Sequence, residues 1–460
     1  MRPRFGYRGQ RPEMSTREPG SFLSAVFWNA LLMVLLWPMS VATAVITGRW
    51  LGPLGKGEYT LALLVGSLLL TLLNLGIPSS ISYFLGGRRL PEDSLVKTVI
   101  LMAMLLAGSG LALGLLLDRT GWCQYLLGVQ RFSPAIWVVI LALPVSFLGA
   151  FLQFVILAEG RRVLFAALPA AGGVLAFFFT IGLVQAGRLT PVTAATAALT
   201  PQAAIVCVLL ALAQHRSRWI QAPLPAPHVW KQLAGYAAFS HAANLLQFLV
   251  QRVDVFLVGV LLDLRAVGLY SVAYGVAELL LLLPQRLGVL YFPRVAADRT
   301  PQGKGEEVWV SYSMVLTGTA ALAIGLAVVG PFGIRFLYGP AFGPSVTPLL
   351  LLLPGVCAMG VSCILTAYLA GVGQVRTNVL VSGASLVLNV LLNLILIPRH
   401  GVTGAAVASS LTYGAQALLL ARAVARLTSN PLSAMLTLAS PALLGARLRC
   451  ALRPTPPAGP

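Results

Sequence analysis

Acid is scarce in this chain. Only 13 of its 460 residues are Asp or Glu, against 32 Lys and Arg, and charged residues together make up 10%. A soluble domain carries about a quarter charged residues because water must wet its surface. With 58% hydrophobic residues and a mean hydropathy of +0.85, this chain has to be solvated by lipid. Soluble enzymes, nucleic-acid binders and disordered scaffolds are excluded together. Five cysteines (Cys123, Cys207, Cys357, Cys363, Cys450) form no CxxC, and four lie in or beside apolar segments, as buried free thiols do. The histidines at 215, 228, 241 and 400 have no metal-ligand spacing. A Walker sequence, a Ser–His–Asp set and paired carboxylates are all missing, so the residues point to no cofactor, no metal and no enzyme. The net charge of +19 does not require nucleic acid, because basic residues gather in the cytoplasmic loops of membrane proteins.

What the chain has is long apolar runs. They predict an all-α polytopic membrane protein with twelve spans, near 22–47, 58–85, 95–117, 134–158, 163–187, 193–213, 236–262, 268–292, 307–330, 347–371, 377–397 and 404–424. A β-barrel would show short alternating segments instead. The first run is too long for a cleavable signal peptide and reads as a retained helix. The patch 432–446, broken by Pro441, reads as interfacial. With the N-terminus inside, inner segments hold 23 basic residues and outer loops 8, so both termini are expected in the cytoplasm. The expected layout is a cytoplasmic tail (1–21), a six-helix lobe (22–213), a cytoplasmic linker (214–235), a second lobe (236–424) and a cytoplasmic or interfacial tail (425–460).

The halves resemble each other. LGPLGKGEYTLA (51–62) matches LDLRAVGLYSVA (262–273) at an offset of 211, pairing Gly57 with Gly268 and Tyr59 with Tyr270. The same offset pairs Gly149 with Gly360 and Gly160 with Gly371, and VTAA (192–195) meets VTGA (402–405) at 210. Six spans preserve orientation, so this predicts a parallel repeat about an axis along the membrane normal, with a cavity where the bundles meet.

Ionisable groups at membrane depth cost roughly 2.5–3.5 kcal/mol each on insertion scales and face a cavity or a partner. The seventh span holds Arg252 and Asp254. Asn244, Gln247, Gln251 and Asp254 fall on one helical face, with Phe248, Leu249, Val253 and Phe256 largely off it, as in a helix lining an aqueous lumen. Arg252 borders that stripe, about 100° round from Gln251. Its fork suits a diphosphate, since it donates two hydrogen bonds at once. Glu278 in the eighth span has two readings, a cavity carboxylate or an ion pair with Arg252 across the hairpin. Asn29 in the first span, Arg49 at its outer end and Asn74 in the second complete the candidate substrate contacts. The ladder Asn378, Ser382, Ser385, Asn389 and Asn393 reads first as helix packing, as does GVTGAAVASS (401–410).

Several stretches resemble a known family. GRWLGPLGKGEYTLALL, LLNLGIPSSISYFLG, RVDVFLVGVLLDLRAVGLYSVAY, LPQRLGVLYFPRVA and the late FLYGPAFGPSVTPLLLLLPG and NVLLNLILIPRHGVTGAAVASSL are similar to the Wzx-like oligosaccharide flippases of bacterial polysaccharide biosynthesis. These belong to the multidrug/oligosaccharidyl-lipid/polysaccharide exporter superfamily. The resemblance covers roughly 22–425. It implies two six-helix lobes packed as a V, a MATE-like fold shared with multidrug exporters and the peptidoglycan-precursor flippase. It further implies a polyprenyl-diphosphate-linked oligosaccharide, or another polysaccharide precursor, carried to the outer leaflet of the inner (cytoplasmic) membrane by alternating access. The cavity would lie between spans 1, 2, 7 and 8, with membrane lipid around it and glycan-synthesis enzymes as partners. Asp254 and Gly259 match the family's acidic residue and following glycine. Asn29 stands where relatives often carry a cation, which puts more of the charge recognition on Arg252. The alternatives are a cation-coupled multidrug exporter of the same fold, a membrane-embedded glycan ligase or polymerase, and a scaffold for synthesis enzymes.

Overall fold

The computed structural model describes residues 19–78, 81, 92–217, 220–221, 227–297 and 305–428, with no strand among them. The patch 432–446 and both tails beyond these limits lie outside the described residues. In chain order the helices are α1 (Pro19–Leu73), α2 (Glu92–Thr120), α3 (Trp122–Leu127), α4 (Pro134–Leu141), α5 (Leu143–Ala158), α6 (Arg162–Gln185), α7 (Pro191–Ser217), α8 (Pro227–Leu261), α9 (Leu264–Ala277), α10 (Leu282–Ala297), α11 (Gly305–Gly333), α12 (Val346–Gly371) and α13 (Val375–Thr428).

Two of these are double. Gly52 (φ 66°, ψ 178°) in α1 and Gly401 (φ 59°, ψ −138°) in α13 leave helical geometry, in conformations where a Cβ would clash. At Gly52 the chain folds back, because Lys56 Nζ reaches Thr47 Oγ1 at 3.0 Å. In a continuous helix, nine residues would separate these positions by about 13 Å. Pro144 lacks the N–H that would continue the helix, and α4 and α5 meet at a 43° bend. Among the described residues nine helices are long and apolar enough to cross a membrane, and this bent pair makes a tenth. The two glycine breaks divide two of the nine, which gives twelve segments, as expected. Helix continues to Ser217 and resumes at Pro227, so it runs past the expected span ends at 213 and 236 into the linker. Hydropathy marks only the lipid-buried part of a helix, whereas its backbone ladder runs on through polar residues.

In the first half α1 packs on α4, α6 and α7, and α2 on α5. In the second, α12 packs on α10, α11 and α13, and α8 packs on α13. The halves meet chiefly where α1 touches α9. That contact ends at a 3-10 turn, Glu278–Leu281, because Pro284 cannot donate to the carbonyl four residues back and its ring crowds it. Beyond the turn, α10 packs on α12, with no comparable contact to α1 among the described residues. Among the described residues the lobes therefore touch at the end bearing Gly57 and Gly268, with no comparable contact between α1 and the chain from Glu278 onward.

The repeat is written into the closed end. A Cβ on Gly57 would lie 1.7 Å from the Leu264 carbonyl oxygen, and one on Gly268 would lie 1.8 Å from that of Pro53. Pro53 and Leu264 are themselves 211 residues apart, so each contact is the other with the halves exchanged. A second couple obeys the same rule. A Cβ on Gly48 would lie 2.5 Å from the Tyr338 ring, and in the image contact one on Gly259 would lie 3.2 Å from the Leu127 carbonyl oxygen. Contact i to j repeated as j to i is the signature of a two-fold axis. Even the irregular entries to the fourth and tenth spans correspond, α3 to the π turn Ile334–Tyr338. By contrast, Gly149 and Gly360 have unlike neighbours, Val206 and Gln202 against Pro284 and Thr319.

The four described cysteines are free: Cys123 and Cys357 are buried and Cys363 is half-buried. Cys207, expected to be buried, is exposed on α7. A thiol is a small apolar group, and acyl chains solvate it as a protein interior does.

Gly57→Leu and Gly268→Leu should each force the lobes apart at this end, with overpacking costing about 1–3 kcal/mol or more. Spin labels at the exposed Leu54 and Leu262 should read a longer distance in either variant. An unchanged distance would show that this crossing does not hold the lobes together.

Candidate functional site

The polar groups of α8 divide between two environments. Arg252 Nη2 and Nη1 lie 3.0 and 3.5 Å from Glu278 Oε1 and Oε2, so the fork and the carboxylate pair in bidentate fashion. The Tyr274 ring centroid lies 4.9 Å from the guanidinium carbon, within cation–π reach. The two charged side chains remain 29% and 28% exposed. Glu278 is the first residue of the 3-10 turn, so the pair stands where the lobes part. Of the two readings of Glu278, the ion pair is the one present, and it is partly exposed. Further along α10, Gln285 and Arg286 are exposed as well.

The stripe expected to line a lumen points instead into the second lobe. Asp254 is fully buried. Its Oδ2 accepts from Tyr270 Oη at 2.5 Å and Ser409 Oγ at 2.7 Å, and Oδ1 accepts from the Val255 amide at 2.8 Å. Gln247 Oε1 accepts from Gln416 Nε2 at 2.9 Å and Ser382 Oγ at 3.4 Å. Gln247 and Gln251 both point their amide nitrogens at Met359 Sδ, 3.5 and 3.9 Å away. Asn244 alone of the stripe is exposed. The physical reason is mutual satisfaction, because α12 and α13 offer polar partners and a buried polar group without one is costly. The α13 ladder shares that seam: Asn378, Ser382, Ser385, Asn389 and Asn393 are all buried. Asn378 bonds the Thr366 carbonyl and Asn389 that of Val250, at 3.0 and 3.2 Å. Close packing extends into 401–410, where a Cβ on Gly355 would lie 2.3 Å from Ser410 Cα.

The candidates of the first lobe are scattered. Arg49 is exposed and donates to the Phe336 carbonyl at 3.4 Å, a contact between lobes at the closed end. Asn74 Oδ1 accepts from the Gly76 amide at 2.8 Å and so builds the turn that ends α1. Asn29 lies on α1, but its side chain is outside the described residues. Lys56, which the basic-residue count places in an outer loop, is buried, with its ammonium 5.1 Å from the Tyr59 ring centroid. Sequence reasoning passed over Tyr274, Ser409 and Lys56. The one signal present was the Tyr59–Tyr270 pairing, since each of these tyrosines holds a charged neighbour.

Residues 22–297, three-fifths of the chain, match the family described as polysaccharide biosynthesis protein. The chain belongs to this family. It is 25% identical over 193 residues to the probable low-salt glycan biosynthesis flippase Agl15 of Haloferax volcanii, covering 41% of each chain. Over 216 residues it is 26% identical to the probable flippase AglR of the same organism, covering 44% of each. The matched stretches thus span about two-fifths of these curated relatives. The lipid II flippase MurJ in an inward closed conformation superposes with a TM-score of 0.71 at 14% identity, covering 93% of both chains. An inward-facing MATE transporter of the MOP superfamily gives 0.70 at 13% identity, covering 88% of this chain and 99% of its own. The outward-facing form of a MATE transporter gives 0.61 at 13% identity, covering 88% and 97%. The protein is a multi-pass membrane protein with the two-lobe fold of these structures.

Asp254→Ala should lower the melting temperature in detergent, because the buried Tyr270 and Ser409 hydroxyls lose their shared carboxylate acceptor and keep only each other at 3.3 Å, a loss of about 1–3 kcal/mol. Arg252→Ala should lower it much less. Equal losses in the two variants would contradict the division between buried seam and open pair.

Proposed function

We propose that this protein moves a polyprenyl-diphosphate-linked oligosaccharide from the cytoplasmic to the outer leaflet by alternating access. The observation that carries the reading is Arg252, a guanidinium paired yet 29% exposed where the two lobes part. A cation at membrane depth is expensive unless it meets an anion, and the planar fork fits phosphate oxygens two at a time. The sugar and diphosphate would enter between the diverging halves of α1 and α10, with the prenyl tail left in lipid between the lobes. Family membership supports this, and so do the names of the relatives, which describe flippases of glycan biosynthesis and of lipid II.

The open end would face the cytoplasm, as the excess of Lys and Arg in its loops favours. Both termini would then be cytoplasmic and the membrane the inner one. Enzymes that assemble the glycan on its lipid would supply the substrate. Transport makes and breaks no covalent bond, so the protein would not be an enzyme. The MATE likeness favours a second reading, a cation-coupled exporter of small molecules. Resistance to cationic drugs on overexpression, with surface glycan unaltered by depletion, would select it.

Arg252→Ala should lower flipping of a fluorescent prenyl-diphosphate sugar in vesicles by about 10- to 100-fold, the worth of a charge-assisted fork. Arg252→Lys should recover part of this. A correctly inserted Arg252→Ala protein that flips at the normal rate would refute the assignment.

A further inference from the structure

We propose that Glu278 is a resident counter-anion, holding the place of the substrate's diphosphate on Arg252 and expelling it when the pair re-forms. The inference rests on Arg252 being the diphosphate seat. Both terminal nitrogens of Arg252 are taken by the two oxygens of Glu278, at 3.0 and 3.5 Å. An incoming phosphate needs those same two donors in the same plane. Tyr274 backs one face of the guanidinium at 4.9 Å and keeps the fork aimed whether or not the carboxylate is present. What must move is therefore Glu278 rather than Arg252.

The chain makes that movement inexpensive. Glu278 is 28% exposed, so a carboxylate released from Arg252 swings toward open space instead of into the core. It opens the 3-10 turn Glu278–Leu281 above Pro284, a segment whose backbone bonding is already irregular. The turn is also the point where α9, packed on α1, gives way to α10, packed on α12. The turn packs on α12, as α9 and α10 do, so Glu278 shares a lobe with Arg252 and the exchange is a side-chain motion within it. Asp254, two residues from Arg252, makes the contrast clear. Its three hydrogen bonds and complete burial leave it nothing to exchange with.

A competing internal anion weakens binding and speeds release. Glu278→Gln keeps the size and hydrogen-bonding reach of the side chain but removes its charge. In full-length protein held in nanodiscs, farnesyl diphosphate should bind Glu278→Gln about three- to tenfold more tightly than the native protein, the weight of a half-exposed bidentate pair. In vesicles the same variant should show a lower KM together with a lower kcat for the fluorescent sugar lipid, since release slows. Arg252→Ala should lose farnesyl diphosphate binding in the parallel titration. Binding by Glu278→Gln no tighter than native, alongside loss in Arg252→Ala, overturns the exchange and leaves the Arg252 seat standing. Native-like binding by Arg252→Ala overturns the seat itself. Should Glu278→Gln fail to elute as a folded monodisperse protein, Glu278→Asp, one methylene shorter, is titrated with a smaller gain expected. Failure of both variants to fold would make the carboxylate a strut, and the exchange would be wrong.

Discussion

Two helices can approach until their backbones touch only where neither carries a Cβ, and in this protein that constraint falls on Gly57 and Gly268. Each glycine lies against the backbone of the opposite half, at Leu264 and Pro53. Because the two contacts are images of each other, the crossing sits on the pseudo-two-fold axis and belongs to neither lobe. Close approach of small residues is the main means by which helices associate in lipid, where the hydrophobic effect between them is absent. The flanking contacts of Gly259 with Leu127 and of Gly48 with Tyr338 extend the same symmetric seam. Past it the partners change among the described residues: α9 packs on α1 as well as α12, whereas α10 packs on α12 beyond the turn at Glu278.

The electrostatics follow from where each charge falls relative to that seam. Asp254 and Glu278 sit on successive helices, α8 and just beyond α9, yet they do different work. Asp254 is enclosed and ties α8, α9 and the second half of α13 together through Tyr270 and Ser409. Glu278 stands at the rim, shares its charge with Arg252 and keeps access to open space. The buried carboxylate ties helices of the second lobe together, and on the proposed exchange the part-exposed pair is the one free to open. Lys56 and Arg49 place further cations at the closed end, one bonded to Thr47 and one to the carbonyl of Phe336 across the lobes.

Much of this could be read from the chain, and what could not has a physical reason. Scarce charge and long apolar runs sufficed for twelve helical segments, and the 211-residue offset foretold the two-fold axis through Gly57 and Gly268. Helical period shows that Asn244, Gln247, Gln251 and Asp254 share a face, but it gives only the angle between residues and not the neighbour they meet. The polar partners on α12 and α13 come from residues more than a hundred positions away, so the stripe's turn into the second lobe was beyond reach. The short α3 and the π turn are too brief to register in hydropathy. Lys56 looked like an ordinary loop cation because the break between the first two spans reads as an exposed loop, whereas helix runs on to both sides of Gly52 and Lys56 is buried. The pairing of Arg252 with Glu278 was available, since adjoining antiparallel helices must touch, but its place at the opening was not.

The central claim is that the Gly57–Gly268 end opens and closes while Arg252 holds the cargo. Joining Leu54→Cys to Leu262→Cys with a short bismaleimide in reconstituted vesicles tests it most directly. The account predicts that the cross-linked protein still binds farnesyl diphosphate but stops flipping the sugar lipid. Undiminished flipping with that end tied shut would contradict it.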